Sequence, residues 1–159
     1  MAGIQLGVEV HVLDRVKTGL KPELVRELGA TYHSGTIADI GFTPDVIMEC
    51  TGVGHLIADS FLAIAASGII CLAGVGHGGA IPRIPTANVA SSAVLKNNVV
   101  FGSVNANKRH WFKASEALAR ADRDWLARLI TRRERPEDFR KALERQTDDI
   151  KVVIQFAEV

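Results

Sequence analysis

The stretch that decides the fold is DVIMECTGVG, residues 45–54. Val46–Cys50 is a mostly apolar run of strand length, which is typical of a strand buried on both faces of a sheet. A glycine-rich turn follows, and residues 55–67 then place apolar side chains at helical spacing. Gly68 is suited to end that helix, and Ile69–Ala73 predicts the next buried strand. This order predicts a strand–helix–strand unit of a parallel sheet.

The same alternation extends on both sides of this unit. Upstream, Val8–Leu13 predicts a strand, Pro22–Gly29 predicts a helix, and residues 30–33 predict a short strand. Downstream, Val99–Val104 predicts a further strand. Strands that alternate with helices predict an α/β fold, with a parallel sheet covered by helices.

The pattern changes after Asn107. Three amphipathic helices are predicted between Lys108 and Leu143, and Ile150–Phe156 alternates as a final strand. We therefore place an internal boundary at Asn107.

Composition narrows the class of protein. The 159 residues are 47% hydrophobic and 23% charged with a formal net charge of +1, which suits one globular domain with a small appendage and excludes a disordered or collagen-like chain. The two cysteines cannot build a disulfide framework, and no cysteine or histidine spacing indicates a metal site. The sequence shows no signal peptide and no apolar run long enough to span a membrane. We expect a cytoplasmic protein.

Asp14 and Arg15, at the end of the first predicted strand, can carry chemistry. In dinucleotide-binding folds an acid at this kind of strand end accepts hydrogen bonds from the adenosine ribose, whereas an adjacent arginine can hold a 2′-phosphate. The pair therefore leaves NAD and NADP both open. The plainer alternative is an exposed acid at a strand end.

The glycine clusters do not form a complete phosphate-binding fingerprint. Gly52 and Gly54 are spaced for it, but Ile57 stands where a glycine or alanine is needed. We interpret Gly52 as a residue that allows close approach of a bound ligand, with a plain tight turn as the alternative. The glycine-rich loop at residues 74–79 is predicted to be flexible, with no helix pattern after it.

The histidines and the basic segment favour plainer interpretations. The five histidines are scattered, so we expect structural or surface roles for them. Cys50 and Cys71 are predicted to be small buried apolar residues.

Lys108–Arg145 is basic, but acids are interspersed with its basic residues, so a solvated helix face is favoured over a nucleic-acid surface. We expect neither a nucleic-acid partner nor a membrane partner.

Several segments together resemble the medium-chain dehydrogenase/reductase superfamily. VHVLDR (residues 10–15), ELGA (27–30) and DVIMECTG (45–52) follow one another in the order of that family. VVFGSVNANKRHW (99–111) is similar to the glucose 1-dehydrogenase branch. LITRR (129–133) and DIKVVI (149–154) fit the same branch, so the resemblance covers about Gly7 to Phe156.

The resemblance implies an enzyme that combines a zinc-binding catalytic domain with a Rossmann domain for NAD or NADP. Hydride would pass from C1 of an aldose sugar to the nicotinamide. The zinc ligands and the catalytic residues of this family would lie outside this chain. The cofactor-binding residues implied here are Asp14, Arg15, Cys50, Thr51, Gly52, Gly74, Val75 and Asn105, and Asn105 would also contact the sugar substrate.

The resemblance also implies a domain organisation. Residues 1–107 would be a partial dinucleotide-binding domain, and residues 108–159 a helical connector and a strand that returns to the catalytic domain. We expect the first Rossmann strand and its GxGxxG turn to be missing. Val8–Leu13 and Val46–Cys50 would then flank a gap or pair directly, and such a chain would be inactive by itself. In this superfamily a strand equivalent to Val99–Val104 often joins two subunits, which implies a homo-oligomer.

Two other functions compete with this interpretation. One is a non-catalytic Rossmann-like module that binds a partner or part of a nucleotide. The other is a nucleic-acid-binding protein that uses the basic helices, for which no motif is present.

Overall fold

The computed structural model describes residues 1–76 and 86–157. The chain divides into two compact units. Unit 1 comprises Met1–Ser34 and Asn107–Val159, and unit 2 comprises Gly35–Ala106. No helix in the described ranges is long and apolar enough to cross a membrane.

The first part of unit 1 is a β-α-β segment preceded by one helical turn. Its elements are α1 (Ala2–Gln5), β1 (His11–Leu13), α2 (Leu20–Glu27) and β2 (Thr31–His33). β1 and β2 pair in parallel, with His11 opposite Thr31. Leu24 anchors α2 in the core, and Gly29 adopts a φ of +80° just beyond the helix, a conformation that favours glycine. The predicted strand, helix and second strand are confirmed, although β1 begins at His11, three residues after the predicted Val8.

Unit 2 is a three-stranded parallel sheet with helices in the connections. A short 3-10 helix at Ile37–Ile40 precedes β3 (Val46–Glu49), α3 (Gly54–Ala63), β4 (Ile69–Leu72), α4 (Thr86–Lys96) and β5 (Val99–Gly102). The strand order is β3-β4-β5, and Val46, Ile69 and Val99 stand side by side. Its core lies around the central strand, where Ile70 is fully buried and Cys71 and Ile64 are nearly so. The predicted α/β fold with a parallel sheet is confirmed.

Two of the predictions about helices in unit 2 are wrong. The helix predicted over residues 55–67 ends at Ala63, because Ile64 turns to extended backbone and is buried in the core. The sequence predicted no helix after the glycine-rich loop, yet α4 is present. Its residues are mostly small or polar, so the sequence lacks the apolar stripe that predicts an amphipathic helix. Residues 77–79, part of the loop predicted to be flexible, lie outside the described residues.

The rest of unit 1 is mixed helix and strand. Its elements are α5 (Lys108–Ala119), α6 (Arg123–Leu129), β6 (Ile130–Glu134), a 3-10 helix at Pro136–Asp138, α7 (Phe139–Leu143) and β7 (Lys151–Ile154). β6 and β7 pair in parallel. The predicted helices and the final strand are confirmed, but β6 was not predicted, because its residues Thr131–Glu134 are polar or charged. Trp111, predicted at core spacing on α5, is 68% exposed.

Side-chain contacts hold unit 1 together between its two sequence segments. The Trp125 Nε1 group of α6 donates to the Leu24 carbonyl of α2 at 2.9 Å. Arg128 pairs with Glu27 at 2.6 Å on the same two helices. Residues about a hundred positions apart therefore pack α6 against α2.

The strands predicted to flank a gap lie in separate sheets. β1 pairs with β2, and β3 pairs with β4. The alternative of direct pairing between β1 and β3 is not found in the described part of the chain.

Candidate functional site

The candidate site in unit 2 is the edge where the parallel strands β3, β4 and β5 end. In open parallel sheets, ligands bind beyond the carboxyl ends of the strands. Three segments meet this description, namely residues 50–53 after β3, 73–76 after β4 and 103–105 after β5. We call these three segments the carboxyl edge. Six of the eight predicted cofactor-binding residues belong to it.

The first two segments of the carboxyl edge contact each other backbone to backbone. The amides of Ala73 and Gly74 both donate to the Glu49 carbonyl, at 2.8 and 2.9 Å. A Cβ atom on Gly74 would collide with the amide nitrogen of Gly52 and lie 2.6 Å from the Thr51 carbonyl carbon. Both glycines are therefore required by the contact between the two segments. The predicted close approach at Gly52 is made by the chain's own backbone at residues 75 and 76.

Glu49 organises the segment that follows β3. It is the last residue of β3 and only 5% exposed. Its Oε1 accepts from the Thr51 amide at 2.8 Å and from the Thr51 hydroxyl at 2.5 Å, and its Oε2 accepts from the Gly52 amide at 3.0 Å. Sequence reasoning missed this residue, because an acid within an apolar run gives no sign of what it binds.

The hydrogen bonds to Glu49 set its protonation. Burial alone would raise the pKa of its carboxyl group, but the Thr51 hydroxyl and the amides of Thr51 and Gly52 outweigh burial and lower the pKa. Desolvation raises the pKa of the neighbouring Cys50 thiol, and the charge of Glu49 adds to that effect. The site thus holds an ionised carboxylate beside a protonated thiol at neutral pH.

The other predicted residues of the carboxyl edge lie at its surface. Cys50 is exposed, so the prediction that it is buried is wrong, whereas Cys71 is buried as predicted. β3 ends at Glu49, one residue earlier than predicted. Cys50 continues the face of the strand on which Val46 and Met48 are also exposed, so β3 is buried on one face only. The side chains of Val75 and Asn105 are exposed. An exposed amide such as that of Asn105 can both donate to and accept from a ligand.

Asp14 and Arg15 form a second candidate site, in unit 1. The Asp14 amide donates to the His33 carbonyl at 3.1 Å, which fixes the end of β1 beside the end of β2. Among the described residues, the Asp14 carboxylate receives one long bond of 3.4 Å from the Val16 amide, and Lys21 lies 3.6 Å away. Its oxygens therefore keep capacity to accept hydrogen bonds from a ligand. Arg15 is exposed.

Two features near Asp14 were not predicted. Lys21, in the first turn of α2, adds a second cation beside the acid. His11 and His33 stack, with 2.8 Å between His11 Nδ1 and His33 Nε2, and His11 Nε2 lies 2.9 Å from a Glu9 oxygen. The sequence separates the histidines by 22 positions, and only the parallel pairing of β1 with β2 brings them together.

In the part of the chain that the structure describes, neither a metal cluster nor a cavity indicates another site. Within residues 1–76 and 86–157, no group of three or more His, Cys, Asp or Glu side chains could hold a metal ion. A shallow hollow of about 560 Å³ lies beside β6 and β7, lined mainly by apolar side chains such as Val153 and Phe156. It contains none of the predicted residues and offers one charged group, Arg133, so we assign it no function.

Comparison with known proteins decides the family. The family described as "Glucose dehydrogenase C-terminus" matches residues 2–156. This chain belongs to the glucose dehydrogenase C-terminal family. The predicted resemblance to the glucose 1-dehydrogenase branch is therefore confirmed, on nearly the stretch of chain that carried it.

Curated relatives of this glucose dehydrogenase C-terminal chain include two archaeal proteins. Glucose 1-dehydrogenase 1 of Caldivirga maquilingensis is 36% identical over 148 residues, covering 91% of this chain and 42% of that protein. Glucose 1-dehydrogenase 2 of Vulcanisaeta moutnovskia is 35% identical over 150 residues, covering 92% and 42%. The chain thus spans about two-fifths of the length of these relatives.

A solved structure with the same fold is the glucose dehydrogenase from Haloferax mediterranei in complex with NADP, Zn and gluconolactone. It superposes with a TM-score of 0.83 at 25% identity, and the match covers 95% of this chain and 44% of that one. The arrangement of strands and helices is therefore that of the C-terminal part of a glucose dehydrogenase.

Proposed function

We propose that this chain is the nucleotide-binding part of an NAD(P)-dependent glucose (aldose) 1-dehydrogenase. In that reaction, hydride leaves C1 of the sugar for the nicotinamide ring, the C1 hydroxyl releases its proton to solvent, and the sugar becomes a lactone. The observation that carries the proposal is the family match over residues 2–156. The relatives named glucose 1-dehydrogenase and the NADP complex of the Haloferax mediterranei enzyme support it.

Asp14 and Arg15 fit the adenosine end of the cofactor. The free acceptor capacity of the Asp14 carboxylate suits the ribose hydroxyls, and the exposed Arg15 suits a 2′-phosphate. Lys21, 3.6 Å from Asp14, offsets the repulsion between this acid and a 2′-phosphate. We therefore propose that the chain accepts NADP as well as NAD.

The carboxyl edge fits the nicotinamide half. In the proposal, Cys50, Thr51 and Gly52 lie along the cofactor, Gly74 and Val75 lie towards the nicotinamide, and Asn105 contacts the nicotinamide and the sugar. The bound cofactor supplies the hydride acceptor, and these residues position it. The Haloferax mediterranei enzyme is in complex with zinc as well as NADP. We assign zinc no ligand within the described residues.

Partners and location belong to the same proposal. β5 is an edge strand of its sheet, and Val99 and Phe101 are about half exposed, so we propose that a second copy pairs along residues 99–104. The sugar is the small-molecule partner, and we propose no nucleic-acid or membrane partner. A cytoplasmic location suits a chain with two free cysteines and a nicotinamide cofactor.

A chimera tests the proposed activity. The part of the Caldivirga maquilingensis protein that precedes its alignment with this chain is joined to residues 2–156, and reduction of NAD or NADP is followed at 340 nm with glucose. We expect glucose-dependent reduction. In the matched control, the part of the Vulcanisaeta moutnovskia protein that aligns with this chain replaces residues 2–156. An active control beside an inactive chimera that binds NADP would contradict the proposal and favour a non-catalytic binding module.

A further inference from the structure

Glu49 carries a buried charge that packing does not require. It lies on the same face of β3 as Ile47, which pairs with the fully buried Ile70, and Glu49 itself pairs with Leu72 of β4. An apolar side chain would fill such a position without the cost of burying a carboxylate. In the described part of the chain no lysine, arginine or histidine pairs with this carboxylate, and its partners are donors in the segment that follows β3.

These donors give the carboxyl edge a fixed geometry. The Thr51 hydroxyl has one proton, which it donates to Glu49, and its oxygen accepts from the Val53 amide at 3.1 Å. The amides of Thr51 and Gly52 point to the same carboxylate. One ionised group therefore orients three consecutive residues between β3 and α3.

The main chain of the same residue holds the neighbouring segment. The Glu49 carbonyl accepts from the amides of Ala73 and Gly74. Its side chain therefore fixes the segment after β3, and its backbone fixes the segment after β4. These are two of the three segments that form the carboxyl edge.

We propose that Glu49 is the positioning residue of the carboxyl edge, whose carboxylate sets Thr51 and Gly52 in the geometry that accepts the nicotinamide half of the cofactor. The proposal rests on the proposed function as far as the cofactor is concerned. It predicts that loss of the carboxylate affects the nicotinamide half and spares the adenosine half, because Asp14 and Arg15 belong to unit 1. A merely structural role would affect both halves together.

The first arm of the test measures the edge itself, without any cofactor. Backbone amide exchange is measured by NMR in the full chain, in Glu49→Gln, and in Glu116→Gln, which makes the same change at an exposed position of α5. In Glu49→Gln, we expect exchange at Thr51 and Gly52 to become about tenfold faster, which corresponds to about 1.4 kcal/mol, while Val153 in β7 is unchanged. Unchanged exchange at Thr51 and Gly52 would overturn the proposal.

The pH profile of the same amides gives a second readout. In the wild-type chain the Thr51 and Gly52 resonances should titrate together, with a midpoint below 4.5, the usual value for glutamate. In Glu49→Gln this common transition should vanish. A transition that persists in the variant would show that another group controls the edge.

The second arm measures binding. NADPH is titrated by its fluorescence and 2′,5′-ADP by calorimetry, in the same three chains. For Glu49→Gln we expect NADPH binding to weaken about tenfold and 2′,5′-ADP binding to stay within about twofold, the tenfold loss being about 1.4 kcal/mol. Equal weakening of both nucleotides, or of neither, would overturn the proposal.

Thr51 variants keep the test decisive if Glu49→Gln does not fold. Thr51→Val removes the hydroxyl donor and leaves the carboxylate in place, and Thr51→Ser restores the donor. In the valine variant we expect faster amide exchange at Gly52, because Glu49 has lost a donor, and in the serine variant we expect wild-type amide exchange at Gly52. Identical amide exchange in the two variants would contradict the proposal. A wild-type chain that binds neither nucleotide refutes the proposed function, and the amide exchange of the variants then decides the role of Glu49 alone.

Discussion

Replacing Gly74 by alanine is expected to force the two contacting segments of the carboxyl edge apart. The added Cβ would collide with the Gly52 amide nitrogen and lie 2.6 Å from the Thr51 backbone. Backbone atoms held by Glu49 cannot swing away as the end of a flexible side chain can. The strain therefore falls on the contact between the segments, and not on a local rotamer.

The expected cost follows from these contacts. Overpacking a well-filled site costs about 1–3 kcal/mol. Displacing the backbone also strains the bond of 2.9 Å from the Gly74 amide to the Glu49 carbonyl, worth about 1 kcal/mol. The free energy of unfolding should thus fall by about 2–4 kcal/mol, which a domain with about 5–15 kcal/mol of stability can tolerate.

Gly102→Ala is the matched control for Gly74→Ala. Gly102 ends the adjacent strand β5, and a Cβ there would meet only the Leu72 carbonyl oxygen at 3.9 Å, an ordinary contact. Urea unfolding should show a change within about 0.5 kcal/mol for this control. Equal free energies of unfolding for the two variants would refute the reasoning, as would a Gly74→Ala chain as stable as the wild type.

The remaining predictions concern pH, the cofactor and the core. Because the pKa of Glu49 is lowered in the folded state, its contribution to stability is present above pH 4.5 and is lost as the pH falls through the lower folded value. Below pH 4.5, the free energy of unfolding should therefore fall more steeply in the wild type than in Glu49→Gln. Superimposable pH profiles of the two chains would contradict this. Asp14→Ala should weaken NAD binding more than NADP binding, and Arg15→Ala should do the reverse. Calorimetry should show the ratio of the two dissociation constants changing by about tenfold in each variant, the size of one hydrogen bond to a charged group. Equal losses for NAD and NADP would contradict the placing of these residues at the adenosine end of the cofactor. Ile70→Ala should lower the free energy of unfolding by about 2–5 kcal/mol. The control Val94→Ala, at a side chain that is 74% exposed, should change it by no more than about 0.5 kcal/mol. An Ile70→Ala chain as stable as the control would show that the core of unit 2 lies elsewhere.

Elements with a strong local signal could be predicted from the sequence. Val46–Glu49 and Ile69–Leu72 are apolar runs, and α2 is marked by a proline in its first turn and a glycine just beyond its end. The periodicity of α5 predicted the helix but not its surroundings, since Trp111 is exposed. The hydrophobic pattern therefore predicted which segments form helices and strands, but it did not predict which of their faces are buried.

Elements without a local signal were missed for physical reasons. α4 consists largely of small and polar residues, so its helicity depends on where the chain places it between β4 and β5. β6 is mostly polar or charged, and its Arg132 makes up for this by bonding to Asp149, Glu134 and two backbone carbonyls. These partners lie up to 17 positions from Arg132 and reach it only through the folded path of the chain, so the local pattern of β6 does not show them.

The candidate site was predicted in outline. The family resemblance implied Thr51, Gly74 and Asn105, and the structure brings these residues to the carboxyl ends of neighbouring parallel strands. The sequence could not show that Glu49 binds Thr51 and Gly52, nor that Lys21 stands beside Asp14. Both depend on side chains that meet only after the backbone has folded.

Assigned NMR spectra of the chain during a titration with NADP test whether the proposed residues bind the cofactor. We expect shifts concentrated at Asp14 and Arg15 in unit 1 and at Thr51, Gly52 and Asn105 in unit 2, with no change in β6 and β7. Shifts confined to the hollow beside β6 and β7, or none at saturating NADP, would contradict the proposal.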